Sequence, residues 1–114
     1  MGNAAYDKSF EFAIEIVKLA KKLKLQKEYD MSGQLLRSAT SIGANISESE
    51  YAQSKADFIS KLTIALKEAS ESRYWLKLLS ATGDIDAHDG ERLIKQVDEI
   101  IRILAASVKT SKNQ

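Results

Sequence analysis

An all-α fold, arranged as an antiparallel up-and-down four-helix bundle, is predicted by three features of this 114-residue sequence. Apolar residues recur with a helical period from near the beginning of the chain to near its end. Proline, the strongest helix breaker, is absent from the sequence. The polar breaks between periodic stretches are short, and helices joined by short connections pack most simply as successive antiparallel neighbours. One domain is expected over residues 1–114, with an ordered core from about residue 6 to about residue 109 and a flexible polar tail over 111–114.

The first helix is expected from about Tyr6 to Leu25, followed by the polar stretch Gln26-Lys27-Glu28-Tyr29-Asp30. Asp30 is a candidate N-cap for a second helix that runs to about Tyr51, because its carboxylate can accept a free N–H of the first turn. Ala52-Gln53-Ser54 makes the next break, and a third helix is expected over Lys55 to about Ala81. Gly83 is placed to end it in the left-handed conformation that glycine adopts cheaply. Asp84 or Asp86 then caps a fourth helix that reaches about Lys109.

Composition narrows the function. A chain of this length buries roughly two-thirds of the surface its unfolded form exposes, enough for a single core. With no Cys, neither a disulfide scaffold nor a Cys-based zinc site can be built. Lys and Arg number 17 against 16 Asp and Glu, a formal net charge of +1, so no global field gathers nucleic acid or anionic lipid. Asp7 and Lys8 precede any apolar run, so no secretory signal is read, and a cytoplasmic location is expected. A myristoylation reading of Met1-Gly2 fails because position 6 is Tyr.

The helical faces differ in width. In the fourth helix Leu93, Val97, Ile100 and Leu104 form one apolar row, with Ile94, Ile101 and Val108 beside it, as for a helix that buries one side. In the first helix the apolar residues, among them Phe10, Phe12, Ile14, Ile16 and Leu19, cover an arc of roughly 220°, too wide for one core. In the third, Phe58, Leu62, Ala65, Leu66, Ala69 and Leu76 make a core row, while Ile64, Tyr74, Trp75 and Leu78 lie on other sides. Apolar surface left over in this way marks an interface. A homo-oligomer is therefore expected, with Phe12, Ile16, Leu19, Tyr74, Trp75 and Leu78 at subunit contacts. The alternative is that a neighbouring helix or the Asp84–His88 loop covers this surface within one chain.

The second helix is rich in small residues, and Ala39, Gly43 and Ala44 are read as close-packing positions. A mid-helix glycine costs about 1 kcal/mol relative to Ala, which close approach of another backbone would offset. Gln34, Arg37, Ser41, Asn45 and Glu48 fall within an arc of about 80°, forming one polar strip. Either this strip is a buried or interfacial network, or it is a solvated face that happens to lack Lys.

These same residues carry a resemblance. The segment from Gln34 to Ser49 reads Q-L-L-R-S-A-T-S-I-G-A-N-I-S-E-S and resembles the signature of bacterial four-helix-bundle proteins encoded in intervening sequences of the large-subunit ribosomal RNA gene. The likeness extends from about Phe10 to Leu104 and includes Phe58, Ile59, Leu62 and Ala65 and the Glu71–Leu79 segment. That family is similar to the accessory protein of diversity-generating retroelements, which forms a pentameric barrel and binds nucleic acid through a basic surface. The resemblance thus implies a homopentamer of four-helix bundles. Ser49 stands where the family commonly has Gly, Gly43 stands where it often has Pro, and this chain is nearly neutral where the retroelement relative is strongly basic.

For nucleic acid the local candidate is Lys18, Lys21, Lys22, Lys24 and Lys27, five lysines in ten residues. A charge run at a helix C-terminus is also what the macrodipole favours, and no Arg cluster or interleaved aromatic accompanies it. Enzymatic chemistry finds no foothold. His88 is the sole imidazole and lies in an Asp-rich turn, and the five glycines form neither a dinucleotide-binding fingerprint nor a P-loop. No catalytic residue, metal site, cofactor or small-molecule substrate is assigned. The leading expectation is a non-enzymatic oligomeric scaffold; a nucleic-acid-binding module and an adaptor receiving a partner helix at Tyr74 and Trp75 are the alternatives.

Overall fold

Each helix begins where an oxygen can accept an N–H of the first turn, which the helix itself leaves free. In the computed structural model, which describes residues 3–114, α1 spans Ala4–Leu25 and is capped by Asn3, whose side chain accepts the Tyr6 N–H at 3.0 Å. The Met1-Gly2 dipeptide lies outside the described residues. Helix α1 ends as Lys27 enters the left-handed region at φ 64° and the Glu28 N–H turns back to the Leu23 carbonyl at 2.9 Å.

Helix α2 spans Asp30–Ser49, and its cap differs from expectation. The Glu28 carboxylate, not Asp30, accepts the Met31 N–H at 3.1 Å, and the Ser32 hydroxyl donates to the Glu28 carbonyl at 2.7 Å. Asp30 already lies in the first turn, where its charge suits the positive end of the dipole. Helix α3 spans Lys55–Ala81, as expected. Ser54 accepts the Asp57 N–H at 3.1 Å while Asp57 accepts the Gln53 N–H at 3.2 Å, a reciprocal cap. Gly83 takes φ 78° and ends this segment in the left-handed conformation. Asp86 opens α4, Ala87–Lys112, by accepting the Asp89 N–H at 2.8 Å. The helix therefore continues through Ser111 and Lys112, which the sequence reading assigned to the tail. Near its end the Lys55 ammonium donates to the Gln114 carbonyl.

Paired residues show the four helices to be antiparallel neighbours. Lys8 meets Glu99 and Glu15 meets Arg92 across α1 and α4, Arg37 meets Glu71 and Glu48 meets Lys61 across α2 and α3, and Arg73 meets Asp98 across α3 and α4. In each helix pair that has two such contacts, residue numbers rise on one helix as they fall on the other. Helix α1 packs on α2 and α4, α3 packs on α2 and α4, and the backbones of the diagonal pairs stay apart, with only side chains filling the space between them. The result is a rod 46 Å long and about 20 Å across.

The core runs along the axis of this square. Phe12, Ile16 and Leu23 meet Leu35, Ile42 and Ile46, and opposite them stand Leu76, Leu79, Val97, Ile100 and Leu104, all essentially excluded from water. Phe12 and Ile16 are each 0% exposed, which corrects their expected place at a subunit contact. They stand one turn apart in the row that continues through Ala20 and Leu23, and that row faces the bundle axis. Among the described residues no buried side-chain nitrogen or oxygen lacks a hydrogen-bond partner.

Candidate interaction surface on α2 and α3

Packing α2 against α3 sets the polar strip of one beside the aromatic residues of the other. Arg37 Nη2 donates to Gln34 Oε1 at 2.7 Å and to Glu71 Oε2 at 3.3 Å. The same Glu71 oxygen accepts from Trp75 Nε1 at 3.1 Å. One carboxylate thus ties the strip to the indole. The Trp75 ring packs partly on the core, and Tyr74 meets it edge-on with centroids 5.2 Å apart. Tyr74 itself is 59% exposed.

Farther along α2, Ser41 donates to the Arg37 carbonyl at 2.7 Å and Asn45 Nδ2 donates to the Ser41 carbonyl at 2.8 Å. Glu48 pairs with Lys61 at 3.5 Å. Ser41 and Asn45 are half-buried, whereas Gln34, Arg37 and Glu48 are exposed. In a single chain the strip is therefore a polar rim along the α2/α3 groove. Leu78, half-buried, and Ile64 extend the apolar side of the same face.

The small residues divide. Ala39 is fully buried. Gly43 lets α1 approach, since a Cβ there would lie 3.2 Å from Ser9 Oγ. Ala44 is exposed, which corrects its reading as a close-packing position: it lies on the side of α2 turned away from the neighbouring helices. A buried contact unmarked in the sequence is Ser38 with Ser72, whose hydroxyls are 2.8 Å apart across α2 and α3. A serine on an apolar row is the only signal of it, and Ser38 sits one turn from both Leu35 and Ile42.

Exposed apolar side chains recur on α1. Phe10 is 54% exposed and Ile14 43%, with Tyr6 stacked on Phe10 at a centroid distance of 6.0 Å. The broad apolar arc of the first helix was the signal for this surface, but its outer side is Phe10 and Ile14, not Phe12 and Ile16. Leu19 is half-buried and packs against the core from the α4 side.

The five lysines near the end of α1 are all exposed, and among the described residues none is ion-paired. Lys18, Lys21, Lys22 and Lys24 spread over nearly half of the helix circumference at about 100° per residue, and Lys27 lies in the turn beyond the helix end. Lys18 and Lys22 share a shallow cleft with Glu15, Asp89 and Arg92. There Glu15 accepts from Arg92 at 3.0 Å and holds the guanidinium still more firmly charged. Asp86, His88 and Asp89 bring potential ligand atoms within 4.8 Å of one another. Asp86 is already engaged by the Asp89 N–H, the main reason its carboxyl lies below the ordinary range, and the Asp89 carboxylate accepts from Arg92 at 3.5 Å.

Fold and surface together define a small four-helix-bundle protein whose most developed feature is an exposed face. No helix among the described residues is long and apolar enough to cross a membrane. The chain belongs to the 23S rRNA-intervening sequence protein family, whose sequence profile matches residues 2–106. It is also similar to a crystal structure from Bacteroides thetaiotaomicron VPI-5482, described as a protein with unknown function from the S23 ribosomal protein family. The two are 54% identical, with a TM-score of 0.90 over 92% of this chain and 98% of the other. Among curated proteins, none matches the chain.

Proposed function

We propose that this protein is a non-enzymatic, cytoplasmic scaffold that works as a homo-oligomer, with five copies as the number implied by the family resemblance. The observation that carries the reading is the α2/α3 face, where Tyr74 stands 59% exposed beside a Trp75 already tethered by Glu71. A large aromatic held in one geometry and left half in water gains by burial, at roughly 25 cal/mol for each Å² removed from solvent. The polar rim from Gln34 to Glu48 suits the edge of such a contact, where satisfied hydrogen bonds surround an apolar centre. Light scattering coupled to gel filtration at micromolar concentration tests the reading. A mass of several chains is expected, and a mass of 12.7 kDa, that of one chain, overturns it.

A second reading, a nucleic-acid-binding module, draws on one observation: Lys18, Lys21, Lys22, Lys24 and Lys27 are exposed and free of carboxylate partners among the described residues. Binding through phosphates weakens steeply with salt. A Lys21→Glu, Lys22→Glu, Lys24→Glu variant is expected to lose it, and absence of affinity for RNA and DNA at low salt removes this reading.

A further inference from the structure

We infer that the end of the bundle where α1 begins and α2 stops binds a small organic cation, a primary ammonium group on a hydrocarbon tail. The site arises because the four helices do not end level. Lys8 pairs with Glu99 across α1 and α4, and Glu48 pairs with Lys61 across α2 and α3. In that register α4 continues about two turns past the start of α1, and α3 begins about one turn beyond the end of α2. Two helices therefore overhang the other two.

At this step all four helices border one cavity of about 690 Å³, within the range of small-molecule sites. Ile46, Leu62 and Leu104, all buried, line it from the core side, and half-buried Phe58 stands beside them. That lining is hydrocarbon, so an occupant needs an apolar tail; a hydrated metal ion would leave it unused.

The polar groups select the head. Ser49 donates its hydroxyl to the Ile46 carbonyl at 2.6 Å and Ser107 donates to the Ile103 carbonyl at 2.9 Å, so each offers a ligand only lone pairs. Among the described residues Glu50 is the sole charged side chain of the lining, is exposed, and has no ion-pair partner. Lys55, the cation nearest to it along the chain, donates instead to the Gln114 carbonyl. Glu50 also caps the negative end of the α2 dipole. At the positive end of α1 across the cavity, Asn3 already accepts the Tyr6 N–H, which leaves Glu50 as the one full charge there. Acceptors around an uncompensated carboxylate suit a donor that is itself positive, and an ammonium group presents three N–H donors.

The cavity lies at an end of the rod and shares no residue with the Gln34–Glu48 rim or with Tyr74 and Trp75. Ligand binding and the oligomeric reading therefore stand or fall separately.

Three probes with one tail and different heads test the site by calorimetric titration of the full chain: n-hexylamine, n-hexanol and hexanoate at neutral pH. Hexylamine is expected to bind tightest and hexanoate weakest. Glu50→Gln should reduce the lead of hexylamine over hexanol by up to about fivefold, the worth of an exposed charge pair, and leave hexanol unchanged. Ser107→Phe, which fills the cavity, should abolish binding of hexylamine. If that variant loses its helical circular dichroism, amide shifts of the wild type take its place, and those of Ser49, Phe58 and Ser107 should move most with hexylamine. Equal affinity for the three heads, tighter binding of hexanoate, no binding of hexylamine, or amide shifts centred elsewhere overturns the assignment.

Discussion

The hydroxyls of Ser38 and Ser72 lie 2.8 Å apart across the α2/α3 seam, each fully buried. Ser72 also donates to its own helix at the Glu68 carbonyl, 2.9 Å away, and Ser38 to the Leu35 carbonyl, 3.2 Å away. With two hydroxyl protons for these contacts, one of the helix bonds and the cross-helix bond share a donor in turn. The pair thus fixes the register of two apolar helices at one point without leaving a polar atom stranded.

Ser38→Ala is expected to cost about 1 kcal/mol of unfolding free energy, the net worth of a buried hydrogen bond. Ser38→Ala with Ser72→Ala should cost clearly less than the sum of the two single changes, because neither hydroxyl is then left without its partner. Urea denaturation of the four proteins measures the coupling, and strict additivity would refute it.

At the α1/α2 crossing, Gly43→Ala brings an opposed pair of effects. Alanine gains about 1 kcal/mol of helix propensity. Its Cβ, however, would lie 3.2 Å from Ser9 Oγ, which is buried and anchored to the Tyr6 carbonyl at 2.8 Å. The single change is expected to be neutral or destabilising. In a Ser9→Ala background, where the obstructing oxygen is gone, the same change should stabilise by about 1 kcal/mol. At Gly90 the clash is harder, 2.7 Å to Ser80 Oγ and 3.0 Å to Ser80 Cβ, so Gly90→Ala should destabilise outright. Thermal unfolding of these variants ranks them.

Arg37→Ala removes an ion pair whose side chains are 59% and 36% exposed. Within one chain its loss should stay below about 1 kcal/mol, the range of exposed pairs, since Trp75 still holds Glu71. Comparing unfolding free energy with assembly mass separates the two roles of the residue: a drop in mass with little loss of fold places Arg37 at a subunit contact, and no change in either makes it plain surface.

Stability should also fall in acid through the α4 cap. The Asp89 N–H holds the Asp86 carboxyl below its ordinary value of 3.8. A carboxyl whose folded pKa is depressed contributes stability above its unfolded value and loses it as pH falls through the folded one. Asp86→Asn keeps a capping oxygen but cannot titrate, so its thermal midpoint should drop less than that of the wild type between pH 5 and pH 2. Parallel acid profiles would show that Asp86 contributes nothing to the slope.

Much of the fold was readable because local rules agreed with it. The α3 boundaries and the left-handed Gly83 follow from residue type and spacing alone, which left the α4 cap between Asp84 and Asp86 for the packed structure to settle. The α2 cap did not, because Glu28 reaches its N–H only through the turn that Lys27 makes at φ 64°. Phe12 and Ile16 were misplaced for a related reason: a helix apolar over most of its circumference does not say which side is inward.

Sequence by itself determined that the chain is four helices, where they break and that α1 carries more apolar surface than one bundle can bury, because period, breaker content and cap chemistry are properties of neighbouring residues. Tertiary structure alone decided that Phe10 and Ile14 face out while Phe12 and Ile16 face in, that Ser38 finds Ser72, and that Glu71 joins Arg37 to Trp75. Those relationships depend on how whole helices rotate about their axes when packed, a choice made by all the facing side chains together and written in no single stretch of the chain.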